Sequence, residues 1–478
     1  MSEGGKLRRE IGLGLAVFVI VGLVIGSSIW LLPTEALAKA GPGMFLGYLL
    51  AVIPGVFLAL ICAYLGSAAP SAGGTYVLIS RTLGPLAGAL ALAAVIAGAG
   101  GAVAFMAGTF GIFVTSLGAG IPVLITGMAV LILAYLVNIL RVEVSATVAM
   151  IITLLGDVLV IVLFIVFGLP HINTANLTPL FPKGFGAVVQ ASILFIFSYA
   201  GFTAVLDIGG EIKDPRKNIP RAIGISLIIL VVLYTLQAFI VAGTIPWEVA
   251  AEKIETTGTF TVAQVAELFT PAGIVRLMPV LILIAIASTI HPLMLAYSRD
   301  FLMAARDQFL PRKVGRISRR FGTPVGGLTV FASCSLVLFF LILILAPVLD
   351  LPLQVAVDLF AAISVSGVLV AEILLSLAAL RAPTVLAERV AASEFKLGRA
   401  TLWIVSVLAI VTSGALLLLL AMEEILIMIV LLVLIVPVLA YYFIRKGYLA
   451  RRGVDLSALT AQWPEDMSAQ ETRRDHIS

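Results

Sequence analysis

The chain has 478 residues, of which 61% are hydrophobic and 12% charged, and its net charge is +4. A soluble chain carries about 25% charged and 45–50% apolar residues, so this excess excludes a purely soluble fold and requires lipid to solvate part of it. The basic residues sit between apolar runs, which gives no case for nucleic acid as a partner; the two cysteines, Cys62 and Cys334, lie inside such runs and read as free buried thiols.

A bilayer crossing needs roughly 20 predominantly apolar residues. In chain order, such runs cover about 11–38, 43–67, 85–117, 121–140, 144–169, 185–211, 220–245, 273–303, 324–346, 352–380, 400–421 and 425–444. The runs are continuous rather than alternating, and helices satisfy their own backbone in lipid, so about twelve transmembrane helices are expected in an all-α integral membrane protein. The first run is too long for a secretory signal core and lacks a small-x-small cleavage site, so it is expected to stay as a span. The transmembrane unit is expected over residues 1–445, and a cytoplasmic tail, disordered or surface-lying, over 446–478. Between spans seven and eight, Thr261 to Phe269 suits a short helix covering the outer surface.

Lys and Arg placement orients these spans. With the N-terminus inside, 26 of the 30 basic residues fall on the inner side, and Lys39, Lys183, Lys253 and Arg276 are the outer ones. That bias obeys the positive-inside rule and places both termini in the cytoplasm of a multi-pass cytoplasmic-membrane protein.

Two spans contain residues that a helix does not favour. The first reads Val21-Gly22-Leu23-Val24-Ile25-Gly26-Ser27-Ser28-Ile29-Trp30, with Pro33 one turn later; the sixth reads Phe197-Ser198-Tyr199-Ala200-Gly201-Phe202, with Gly209-Gly210 below. These are the first helices of two five-helix halves, and matched interruptions in two halves point to a transporter site at the bilayer midplane. A broken helix exposes amides suited to a carboxylate and carbonyls suited to an ammonium or a sodium ion. The bland alternative is close packing by Gly and Ser, which are common in membrane helices.

At these residues the chain resembles the amino acid–polyamine–organocation transporter superfamily. Ile25-Gly26-Ser27-Ser28-Ile29-Trp30-Leu31-Leu32-Pro33 is similar to its I-G-S-G-I-F-x-x-P stretch, and Pro70-Ser71-Ala72-Gly73-Gly74-Thr75-Tyr76 to its P-x-A-G-G-x-Y loop. Phe197 to Pro220, ending Gly210-Glu211-Ile212-Lys213-Asp214-Pro215-Arg216-Lys217-Asn218-Ile219-Pro220, and Ser298-Arg299 through Pro311 complete the likeness. The resemblance implies a five-plus-five inverted repeat, with helices 1 and 6 unwound around the substrate and two helices appended. It implies that the amides of Ser27 and Ser28, beside Gly26, hold a substrate carboxylate. Carbonyls of Val24, Phe197 and Ala200 would take its amino group, with Phe197 closing over it next to Gly201. Ser28 departs from the family's second Gly. Thr203 stands where many members have Asp or Glu, which weakens any case for cationic substrates.

An ionisable residue inside a span is a functional candidate by default. Asp157 falls in span five where proton-coupled relatives have a lysine. It could bind a proton, or help ligate sodium with carbonyls of Gly22 and Ile25 and hydroxyls of Ser288 and Thr289, or pair with a polar neighbour for packing. His291, before Pro292, reads as part of a proton path or as a satisfied histidine at a kink. Glu372 is expected near the inner surface and solvated, and Asp207 and Glu211 to pair with nearby basic residues. Gly98, Gly100 and Gly101 in span three bring no charge for a side chain, which favours neutral amino acids.

These readings give a secondary amino acid transporter driven by a proton or sodium gradient, with no cofactor. A polyamine or organocation carrier and an exchanger are the alternatives. A membrane enzyme lacks its catalytic clusters here, and a channel its continuous polar lining.

Overall fold

Amides that meet no water must be paired within their own segment, and the computed structural model is accordingly helical. It describes residues 11–118, 120–140, 153–315, 317, 318, 323–423 and 425–463. Among these the only extended pairing is two isolated bridges, Ile11 with Ile212 and Ala72 with Ile208.

Helix 1 has two parts, 1a (Leu13–Ile25) and 1b (Ser28–Ala40). Helix 2 is Phe45–Ala68, helix 3 Pro85–Ser116, and helix 4 Val123–Ile139. Helix 5 is described from Thr153 to Gly168, and helix 6 spans Phe185–Asp207. Helices 7 to 10 are Pro215–Thr244, Ala272–Arg306, Val325–Leu345 and Leu353–Val385. Helices 11 and 12 are Arg399–Glu423 and Ile425–Ala450. Among the described residues nine helices have the length and composition to cross a membrane, and the bent pair 1a–1b makes up to ten. Helices 4 and 5 are apolar but shorter. The expected start of span five, at about 144, lies outside the described residues, as does the tail beyond Trp463.

Burial ranks the helices by position. Helix 3 is 89% buried over its most apolar window and helix 10 78%, whereas helix 12 is only 17% buried. Helices 3 and 10 therefore form the centre, and helices 11 and 12 lie at the periphery with most of their residues outside the packed interior. Small residues let the central pair approach. A Cβ on Gly367 would run into the backbone of Gly98, and one on Gly101 would stand 2.9 Å from the Ser364 amide.

Four helices depart from α-geometry near the middle of the protein. Helix 1 breaks at Gly26, whose φ of +46° and ψ of −134° is open to glycine and strained for other residues, and its halves bend by 43°. Helix 3 widens into a π-turn over Ile96–Gly100, and helix 5 into another over Thr153–Val158. Helix 6 does not unwind, contrary to the expected break. Phe197–Phe202 tightens into a 3₁₀ turn that keeps its winding, and helical geometry resumes at Thr203–Asp207. Ser and Gly loosen the helix there, while apolar packing on both sides leaves no space for an open loop.

Outside the main bundle, a short helix over Gly74–Leu83 joins helices 2 and 3. The connection between helices 7 and 8 holds a short helix, Val262–Ala266, within the stretch where one was expected, opened by a Thr261–Gln264 capping box. A further helix, Trp247–Thr257, precedes it. Part of the tail is ordered packing rather than loose chain. Leu456–Ala461 lies against the Gly74–Leu83 helix, and the Gln462 carbonyl accepts from Arg81 Nε at 3.1 Å.

Candidate functional site

The break in helix 1 leaves helix 1b without a side-chain cap: Ser27 precedes it and makes no capping bond, so its first amides have no side-chain acceptor. Ser27 and Ser28 are fully buried. Ser28 donates to the Ile25 carbonyl at 3.2 Å and accepts from Ser198 of helix 6 at 2.9 Å, while Ser27 Oγ has no partner. Helix 1 and helix 6 thus meet at their two irregular points. A Cβ on Gly201 would stand 2.7 Å from Val24 Cγ2, and one on Gly26 would strike Met106 of helix 3.

Between these points lies a cavity of about 30 Å³. Helix 1 contributes Leu23 and Val24, helix 6 Phe197 and Gly201, and helix 8 Leu293 and Tyr297. The π-turn of helix 3 contributes Gly98 and Ala99, with Ala102 and Met106 beyond it, and helix 10 contributes Ser364 and Val368. That volume admits a water or two and is far below an amino acid, so the conformation is contracted. The wall holds no charged side chain. Its polar groups are engaged: Ser364 donates to the Gly98 carbonyl at 2.6 Å, and the Tyr297 hydroxyl lies 2.8 Å from Thr203 Oγ1. Phe197 packs edge-on against Phe105 with ring centroids 4.8 Å apart.

The residues proposed from sequence are distributed unevenly about this cavity. Val24, Phe197 and Gly201 line it directly. Ala200 sits in the 3₁₀ turn, and Gly26, Ser27 and Ser28 form the break beside it. Thr203 is held by Tyr297 instead of pointing into the space as an acid would. The Val24 carbonyl, expected to take a substrate amine, accepts from the Tyr234 hydroxyl of helix 7 at 3.2 Å.

Asp157 is fully buried in the π-turn of helix 5, and among the described residues neither carboxyl oxygen has a hydrogen-bond partner. That turn packs against helices 1a and 8. Thr289 of helix 8 donates to the Gly22 carbonyl at 3.3 Å, the Ile25 carbonyl is taken by Ser28, and Ser288 donates within its own helix to Ala285 at 2.8 Å. His291 is half-buried, and its carbonyl accepts from Asn138 of helix 4 at 3.0 Å. Glu372 is not solvated: it is 2% exposed and accepts from Ser413 of helix 11 at 3.0 Å. Glu211 pairs with Arg299, as charge placement suggested, whereas Asp207 binds the backbone of the Gly74–Leu83 helix.

Sequence reasoning missed the groups that fix the broken helix. Ser226, Tyr234 and Gln237 of helix 7 donate to the carbonyls of Val17, Val24 and Ile29. Their spacing along one helix face was the available signal.

With this geometry in place, the comparisons with known proteins are decisive. The family model described as amino acid permease matches residues 16–455. The chain belongs to the amino acid permease family. It is 26% identical over 360 residues to the branched-chain amino acid permease BcaP of Bacillus subtilis, covering 70% of this chain and 76% of that one. The serine/threonine exchanger SteT of the same organism is 28% identical over 333 residues, 68% of this chain and 74% of its own. The methylthioribose transporter of B. subtilis is 24% identical over 341 residues, with 68% and 73% covered. As a permease this chain is a multi-pass membrane transport protein.

Proposed function

We propose that this permease carries neutral amino acids across the cytoplasmic membrane by alternating access, with a proton on Asp157 as the coupling ion. The observation that carries the reading is the uncapped start of helix 1b beside an uncharged cavity. Its amides and positive dipole end suit a carboxylate, and the apolar wall suits a neutral side chain. Relatives named for branched-chain amino acids and for serine and threonine support the same class. The methylthioribose carrier shows that the scaffold also serves substrates without an amino acid group. In the contracted conformation the Val24 carbonyl is shared with Tyr234, so substrate entry must widen the gap between helices 1 and 6. The proposed orientation keeps both termini in the cytoplasm, in line with the basic residues of the inner loops.

A proton is favoured over sodium by the surroundings of Asp157. The carbonyls of Gly22 and Ile25 already accept protein hydroxyls, and Ser288 is turned to its own helix. A buried carboxylate without a donor is costly, and a proton removes that cost without demanding further oxygens.

Uptake of radiolabelled amino acids into proteoliposomes, with pH and sodium gradients imposed separately, tests this. Saturable uptake of a neutral amino acid under the pH gradient is expected, and Asp157→Asn should abolish accumulation while leaving binding measurable. Accumulation by the variant equal to wild type would remove Asp157 from coupling. Uptake driven only by sodium would replace the ion, and uptake only into preloaded vesicles would make the protein an exchanger.

A further inference from the structure

We propose that Asp207 and Asp300 form a second proton-binding site, at the inner end of helix 6, which holds the inner gate shut while it carries one shared proton. Asp207 is the last residue of helix 6, and Asp300 lies in the inner part of helix 8; both are 0% exposed. Two consecutive amides in the first turn of the Gly74–Leu83 helix hold them. Thr75 N donates to Asp207 Oδ1 at 2.8 Å, and Tyr76 N donates to Asp300 Oδ1 at 2.9 Å. Thr75 Oγ1 reaches Asp207 Oδ2 at 3.4 Å, and Gly73 N donates to the Asp207 carbonyl at 3.2 Å. Held by neighbouring amides of one turn, the two carboxyl groups lie side by side. Asp300 Oδ2 is nevertheless buried and receives no donor. Acceptor facing acceptor repels unless a hydrogen lies between them.

The charges around the pair lead to the same end. Arg299 of helix 8 is the neighbouring cation and is paired with Glu211, beyond helix 6. Tyr297 of helix 8 lies near both carboxyls, and Cys62 of helix 2 lies near Asp207 on one side and Glu372 of helix 10 on the other. Further along the short helix, Arg81 and Asp307 neutralise each other. The start of the short helix supplies about half a positive charge. Two ionised aspartates would therefore leave more than one buried negative charge without a counterion, and a single proton removes that excess.

The pair joins helix 6, which carries the 3₁₀ turn of the substrate site, to helix 8 through one turn of a third helix. If helix 6 separates from helix 8, at least one carboxyl leaves its amide and meets water. The carboxylic O–H bond then breaks, the proton passes to water on that side, and the hydrated carboxylates repel. Closure reverses each step. Which side receives the proton rests on the orientation proposed above; the proton-dependent contact does not.

Hydrogen exchange at the amides of Thr75 and Tyr76, in the full-length protein in lipid nanodiscs without substrate, tests the site. After correction for intrinsic exchange, opening in wild type should be rare at low pH and rise about tenfold per pH unit through one transition between about pH 5 and pH 9. Asp300→Asn, whose amide can donate to Asp207 as the shared proton does, should remove that rise and keep both amides protected. A flat wild-type profile would overturn the proposal without any variant, and so would an unchanged slope in Asp300→Asn. Asp207→Asn puts the same question if that variant does not fold. Protection at high pH restored by sodium chloride but not by choline chloride would also overturn it, in favour of a metal cation. Because no amino acid is present, failure of the transport reading leaves this measurement untouched.

Discussion

At the scale of single residues, the site depends on one backbone angle and one buried acid. Gly26 turns the chain through a positive φ and negative ψ that other residues reach at a cost of roughly 1–3 kcal/mol, and a Cβ there would also strike Met106. Gly26→Ala should therefore regularise helix 1 or push helix 3 away, with loss of saturable uptake in proteoliposomes. Uptake at the wild-type rate would mean that the break is not required for binding. Gly26 was legible in the sequence because its neighbours, two serines and a proline within two turns, all disfavour a helix. Asp157 was legible because a lone acid in an apolar run needs a reason. Asp300 was passed over although it lies in the Ser298 to Pro311 stretch that carries part of the family likeness, since nothing in the local sequence reveals that helix 6 delivers a second acid to it. Glu372 was misplaced for a related reason: distance along a helix from the nearest arginine says little about which neighbours seal the helix face, and here Ser413 of helix 11 does.

At the scale of elements, the broken helix is held by its partner rather than by itself. Ser226, Tyr234 and Gln237 face helix 1 and donate to three of its carbonyls, one in the middle of helix 1a, one just before the break and one in helix 1b. A net bond of this kind contributes about 1 kcal/mol. Tyr234→Phe should lower the thermal unfolding temperature of the purified protein modestly without changing its oligomeric profile, and an unchanged temperature would show that the bond is not formed in solution. The expected unwinding of helix 6 did not occur because Ser and Gly weaken a helix without dictating what replaces it. With Tyr199 packed over Gly55 and Gly201 against Val24, a tighter turn fits where a loop does not. The π-turns of helices 3 and 5 left no mark that sequence periodicity could detect: the first lies in a wholly apolar stretch, and Thr153 and Asp157 in the second are too few polar residues to define a face.

At the scale of the whole molecule, hydrophobicity specified an all-helical membrane protein, of which nine to ten helices among the described residues have the length and composition to span, against the twelve expected, and charge placement suggested their orientation. Far less was legible of the end of the bundle that holds Arg81 and Asp307, where long-range partners decide the structure. Arg81 donates to both oxygens of Asp307, through Nη2 at 2.8 Å and through Nη1, with both side chains sealed from water. Removing one member of a buried pair costs about 3–5 kcal/mol because the other charge is stranded. Arg81→Ala should thus lower the unfolding temperature strongly, and Asp307→Ala added to it should recover part of the loss. A double variant no more stable than Arg81→Ala would show that the guanidinium serves mainly the Gln462 carbonyl. The π-turn over Ile96–Gly100 has a consequence for the two leaflets. One surplus residue in a helix re-phases everything beyond it by about 100°, so the segments of helix 3 on either side of the cavity present faces that an unbroken α-helix could not present together. Regularising that turn with every residue kept would swing the wrong side chains of the far half toward helices 4 and 10, whereas deleting a single alanine would keep those faces and remove only the widened backbone beside the cavity.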